Sequence, residues 1–189
     1  MGLCNSHQTT GIMKKLLLLF CCVLNAVSYV SAAEPVKTKL HPGFAWGADI
    51  GGAIDLTGND MSTLNINAAF GYRRGVIDFI GIGAGMSSMV SNSARMFPVY
   101  GVLRSNFRTA PSLCFLDARV GCAFVNMQDN SNHTGVYIAP GLGFNLAKGK
   151  SFNSYLIVGY QYVNLNAKSE SGFNIDGLNY ACVRLGVNF

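Results

Sequence analysis

The sequence predicts an all-β chain, an eight-stranded antiparallel up-and-down β-barrel. Three observations carry that expectation. Apolar residues recur at every second position in eight separate runs, the mark of strands with two unlike faces. Beyond residue 40 no segment of convincing length has a helical period. Glycine is frequent, 22 of 189 residues, and eleven of these glycines lie on the strand face opposite the large apolar side chains.

The runs follow one another with short polar breaks. The first, 43–54, puts Phe44, Trp46, Ala48, Ile50 and Ile54 on one face. The second, 62–73, does the same with Leu64, Ile66, Ala68, Phe70 and Tyr72. In the third, 77–88, Ile80, Ile82, Ala84 and Met86 oppose Gly81, Gly83 and Gly85. The fourth, 97–107, sets Phe97, Val99, Leu103 and Phe107 against Tyr100, Arg104 and Asn106. The fifth, 113–125, sets Cys114, Leu116, Ala118, Val120 and Phe124 against Asp117, Arg119 and Gly121. The sixth, 134–146, opposes Val136, Ile138, Leu142 and Phe144 to Tyr137, Gly141, Gly143 and Asn145. The seventh, 153–164, opposes Leu156, Val158, Tyr160 and Tyr162 to Tyr155, Gly159 and Gln161. The eighth, 178–189, ends on Val183, Leu185, Val187 and Phe189 alternating with Arg184, Gly186 and Asn188. No domain linker interrupts the series.

The faces decide what surrounds the barrel. A soluble barrel turns its apolar face inward, and a membrane barrel turns it outward around a polar interior. Here the second face mixes glycine with Asp49, Asn65, Asn67, Arg104, Asp117, Arg119, Gln161 and Arg184. Glycines suit a crowded concave wall where neighbouring side chains need room. The other face is aliphatic or aromatic along nearly every run, and in water it would form a greasy belt beyond any tolerable patch. The expectation is therefore a transmembrane barrel. Its connections agree, with longer polar loops at 55–61, 89–96, 126–133 and 165–177 and tight turns RRGV, RTAPS and AKGKS at the other end.

Half of the chain is hydrophobic and 12% is charged. The one long apolar run, Leu16 to Ala33, follows Met13-Lys14-Lys15 and ends in Ser31-Ala32-Ala33. A basic start, an apolar centre and small residues before the cut define a signal peptide over 13–33, cleaved from the mature chain. Residues 1–12 read as an over-extended start and 34–42 as a periplasmic lead-in to the barrel, 43–189. Removing Lys14 and Lys15 leaves 12 Lys+Arg against 9 Asp+Glu, a net charge of +3. That charge is mild and scattered, so no nucleic-acid partner is expected. Cys114, Cys122 and Cys182 are an odd set. Cys114 and Cys122 lie about 27 Å apart along one strand, far beyond disulfide reach. No Cys/His spacing suggests a metal, and no cofactor motif is present.

The signal peptide, the Gly-rich alternating strands and the terminal aromatic together resemble the small eight-stranded outer-membrane β-barrel family, also described as porin-like. The likeness covers 43–189. It implies a monomeric Gram-negative cell-envelope protein in contact with outer-membrane lipid. It also implies that Val183, Leu185, Val187 and Phe189 form the C-terminal signal read by the barrel-assembly machinery. Phe44, Trp46 and Phe107 would join Phe189 in an aromatic girdle. Members of such a family serve as adhesins, stabilisers, pores and enzymes, so fold alone does not assign a role.

For chemistry the leading expectation is a non-enzymatic structural or surface-interaction role, with no catalytic residue. One alternative is a rim enzyme on lipid A, a hydrolase or acyltransferase built from His133 with Ser131 and Asp129. An ordinary solvated loop explains those residues better. The other alternative is a soluble periplasmic barrel for a small hydrophobic ligand. Inside the barrel two charge clusters are expected. Arg104 and Asp117 flank the RTAPS turn and should meet Arg119 across one hairpin. Asp49 and Arg184, each five residues from a strand terminus, should share a level where the barrel closes.

Overall fold

A computed structural model describes residues 42–58, 61–74, 76–90, 94–107, 113–126, 132–148, 152–165, 167–168, 174–175 and 177–189. The expected over-extended start, signal peptide and lead-in up to His41 lie outside these residues, as do Asp129 and Ser131.

The long strands are β1 (Gly43–Asp55), β2 (Thr63–Arg74), β3 (Ile77–Met89), β4 (Arg95–Asn106), β5 (Cys114–Asn126), β6 (Asn132–Lys148), β7 (Asn153–Asn164) and β10 (Leu178–Asn188). Two short strands, β8 (Ala167–Lys168) and β9 (Asn174–Ile175), pair with each other between β7 and β10. Every long strand runs antiparallel to its neighbours. β10 returns to β1, so the sheet is a closed barrel in the order β1-β10-β7-β6-β5-β4-β3-β2. Closure leaves no free edge strand in the barrel among the described residues. The ends of the long strands fall within two residues of those expected from the alternation.

The alternation translates into two surfaces. Phe44, Ile50, Leu64, Ile66, Ile82, Val120 and Leu142 all point outward and are exposed, Phe44 and Ile82 at 72%. The alternate residues, including Asp49, Asn67, Arg104, Asp117, Arg119 and Arg184, point inward and are buried. Leu156 is an outward residue that is nonetheless only 6% exposed. Its cross-strand partners are Phe144 and Leu185, and these cover it from both sides.

Glycine and aromatic residues face each other directly across the strands, and this packs the interior. Gly143 opposes Phe115, Gly83 opposes Tyr100, and Gly186 opposes Tyr155. A Cβ added at these glycines would come within 2.1, 2.7 and 2.5 Å of the opposing ring respectively. Each ring therefore lies over a bare stretch of backbone, where any side chain would force it out.

The interior holds more apolar residues than the alternation alone suggests. One buried cluster includes Met89, Met96, Val125, Val163, Leu165 and Leu178 toward the loop end and extends to Ala45 and Phe79 toward the turn end. Toward the turn end Phe115, Tyr155 and Ile157 form a second. Asp78 and Phe79, consecutive in the chain, are both buried because the β3–β4 register shifts between Ile77 and Phe79. This bulge turns a residue inward where strict alternation would point it out.

At the closing seam Gly47 pairs with Asn188 and Ala48 with Val187. Phe189 continues the ladder, donating its N–H to the Trp46 carbonyl at 2.8 Å and accepting from the Trp46 N–H at 3.2 Å. The two rings stack with centroids 4.7 Å apart. Phe44 stacks on Phe70 at 6.5 Å, and Phe107 is exposed at the end of β4.

Candidate functional site

The chemistry-bearing groups converge inside the barrel. Arg104 and Asp117 are direct cross-strand partners of β4 and β5, and Arg119 follows Asp117 on the same face of β5. Arg104 Nε donates to Asp117 Oδ2 at 2.8 Å, and Arg119 Nε donates to Asp117 Oδ1 at 3.0 Å. One carboxylate thus bridges two guanidinia with separate oxygens.

Asp49 enters the same network from β1. Arg119 Nη2 donates to its Oδ2 at 2.7 Å, and Asn67 Nδ2 donates to its Oδ1 at 2.8 Å. Arg104 Nη2 lies 3.7 Å from Asp49 Oδ2. Arg104 also donates to Asn188 Oδ1 at 2.8 Å and to the Tyr155 hydroxyl at 2.9 Å. Its guanidinium lies 5.3 Å from the Phe79 ring centroid. Arg119 in turn donates to the Tyr100 hydroxyl at 3.1 Å. The ionic groups are almost wholly desolvated, so their pairing is stronger than that of surface pairs, and loss of one partner is correspondingly costly.

The expected Arg104–Asp117–Arg119 grouping is present in this geometry. The expected Asp49–Arg184 pair is corrected. Asp49 opposes Gly186, and Arg184 opposes Gly51, two residues further along. β1 begins before the level at which the chain ends, so counting inward from the two strand termini misaligns them. The shift is an even number of residues, and both side chains still face inward. Arg184 instead places Nη2 3.7 Å from Asp117 Oδ1. The two clusters are one network of three arginines and two aspartates.

The tyrosines belong to the same interior. Tyr100 and Tyr137 stack at 5.6 Å, and the Tyr137 hydroxyl is 3.4 Å from Gln161 Oε1. Sequence reasoning did not single out Gln161 or Asn188 as partners, although both lie in phase with the charged residues on the inward face. His133, the centre of the rim-enzyme alternative, is half-buried on β6 opposite Val125. Its two proposed companions fall outside the described residues. Cys114 and Cys122 are outward on β5, and Cys182 is buried on β10.

Fold and interior define a class: a closed eight-stranded antiparallel β-barrel, apolar outside and ionic within. Among solved structures the chain is similar to Neisserial surface protein A, at 16% identity and a TM-score of 0.48, over 78% of this chain and 95% of that one. It is also similar to the de novo designed TMB2.3, at 15% identity and a TM-score of 0.41, over 78% of this chain and 94% of that one. No protein-family model matches the chain, and no curated protein does.

Proposed function

We propose that the chain is an integral outer-membrane β-barrel with a structural or surface-interaction role and a lumen closed by its own side chains. The observation that carries this reading is the inversion of the two faces. Large apolar side chains are exposed outside, while four arginines and three aspartates are buried within, three and two of them in one network. Water would penalise the exposed apolar belt, and an apolar outer band around a polar interior is the arrangement of a membrane barrel. Strand length supports the reading. The barrel strands run from 11 to 17 residues, and a tilted membrane strand needs about 9–11. Export through the signal peptide 13–33 and insertion by the barrel-assembly machinery belong to the same proposal, as does a monomeric state.

The lumen is closed in layers. Apolar residues including Met89, Met96, Val163 and Leu178 fill the loop end, the ionic network fills the middle, and Phe79, Phe115, Tyr155 and Ile157 lie toward the turn end. Eight strands leave an interior that side chains alone can fill. In planar-bilayer recording, purified wild-type protein is expected to give no stable open channels, and Arg104→Ala or Arg184→Ala to give leakage. Stable single channels from the wild type would refute the closed lumen and favour a selectivity filter made by the same charges.

A further inference from the structure

The interior charges do not balance. Arg104, Arg119 and Arg184 face Asp49 and Asp117, an excess of one positive charge that the buried Arg73 and Asp78, opposite in sign, leave unchanged. Arg104 and Arg119 are fully engaged, each with close carboxylate contacts. Arg184 is different. It is 1% exposed, none of Nε, Nη1 and Nη2 has an oxygen or nitrogen partner, and the acceptor beside it is the Cys182 thiol, a weak one. Its one ionic contact is at 3.7 Å, to a carboxylate oxygen already taken by Arg119 at 3.0 Å.

The surroundings repeat the imbalance. Along β7 and β10 the buried polar atoms without an oxygen or nitrogen partner are Gln161 Nε2, the Tyr180 hydroxyl, the three Arg184 nitrogens and Asn188 Nδ2. Every one of them can donate. Gln161 and Tyr180 are direct cross-strand partners, and Tyr180, Cys182 and Arg184 alternate along the inner face of β10. On this side of the interior the one carboxylate, Asp117, is shared with Arg104 and Arg119. A buried guanidinium left with a shared carboxylate at 3.7 Å is under-compensated, and that is costly. A water molecule would supply an acceptor but no charge.

We infer that the buried Arg184 guanidinium, which shares the overcommitted Asp117, is a binding site for one small inorganic anion of the halide class. The ion accepts hydrogen bonds from Arg184 and neutralises the fifth charge of the network. Burial sets the size. Tyr137 and Ile157, the latter directly opposite Arg184, are themselves 2% and 0% exposed, which excludes an organic anion. The ion is a structural ligand, bound to the folded barrel and not to the unfolded chain.

The test uses the purified, folded barrel at constant ionic strength, with chloride exchanged for gluconate. The wild-type unfolding midpoint is expected to climb with the logarithm of chloride concentration once the site begins to fill, as for any ligand specific to the native state. Arg184→Gln removes the site and should flatten that dependence. Cys182→Asp supplies a built-in carboxylate of nearly thiol size beside Arg184, whose field already reaches this position. It should flatten the dependence while raising the midpoint in chloride-free buffer. Because it retains the arginine, it decides the matter even if Arg184→Gln fails to fold. Crystals soaked in bromide should show an anomalous peak within hydrogen-bond distance of Arg184. A flat wild-type midpoint, a chloride dependence surviving in either variant, or no bromide at Arg184 would overturn the inference.

Discussion

Asp117→Asn is expected to destabilise the folded barrel by about 3–5 kcal/mol, the cost of leaving a buried ionic partner unpaired. The carboxylate is fully buried and lies within 4 Å of three guanidinia. Asn has nearly the same shape, so packing is preserved and only the charge is lost. Arg104 and Arg119 would then share Asp49 alone, and Arg184 would lose its one ionic neighbour. Urea unfolding in lipid vesicles measures the loss, and heat-modifiable gel migration reports whether the barrel still forms. A loss below about 1 kcal/mol, the scale of a solvent-exposed pair, would show that water reaches the network and that the lumen is not closed.

Ile82→Arg should cost roughly 2–4 kcal/mol, as expected for a cationic side chain at the bilayer midplane. Ile82 lies midway along β3, is 72% exposed, and neighbours Phe70 and Gly101 across the strands. On a surface in contact with water the same change would be nearly neutral, within about 0.5 kcal/mol. The gap between those outcomes is wide enough to read from folding yield and unfolding midpoint in vesicles. Leu185→Asp, nearer the end of β10, should show the same sign with a smaller loss. A neutral Ile82→Arg would place the belt in water and return the soluble-barrel alternative to first place.

The strands and their faces were legible in the sequence because both signals are local. Period two over a dozen residues marks a strand, and a one-residue slip would expose the opposite face, so the pattern also fixes orientation. Arg104 and Asp117 could be brought together because a tight turn ties their levels. Asp49 and Arg184 could not, because closure joins the first and last strands through no turn. Their register depends on β1 reaching beyond the chain end, where Trp46 meets Phe189. The apolar ends of the interior escaped for another reason. Doublets such as Phe79-Ile80, Phe115-Leu116 and the run Tyr155-Leu156-Ile157-Val158 carry an apolar residue on each face, and alternation counts only one of them. The weak pairing of Arg184 was beyond reach altogether, since it depends on which oxygen of Asp117 is already occupied.

The native thiol of Cys122 tests the membrane assignment most directly. It is exposed on the outer face of β5, two residues from Phe124, with Val99 and Val136 as cross-strand neighbours. In mature protein carrying Cys114→Ser and Cys182→Ser, a bimane fluorophore can be attached to Cys122 while the chain is unfolded. The labelled protein is then refolded into vesicles whose acyl chains carry bromine. The proposed orientation predicts strong quenching by the brominated chains and little by aqueous iodide. Quenching by iodide with none from the lipid would contradict it, because Cys122 would then face water.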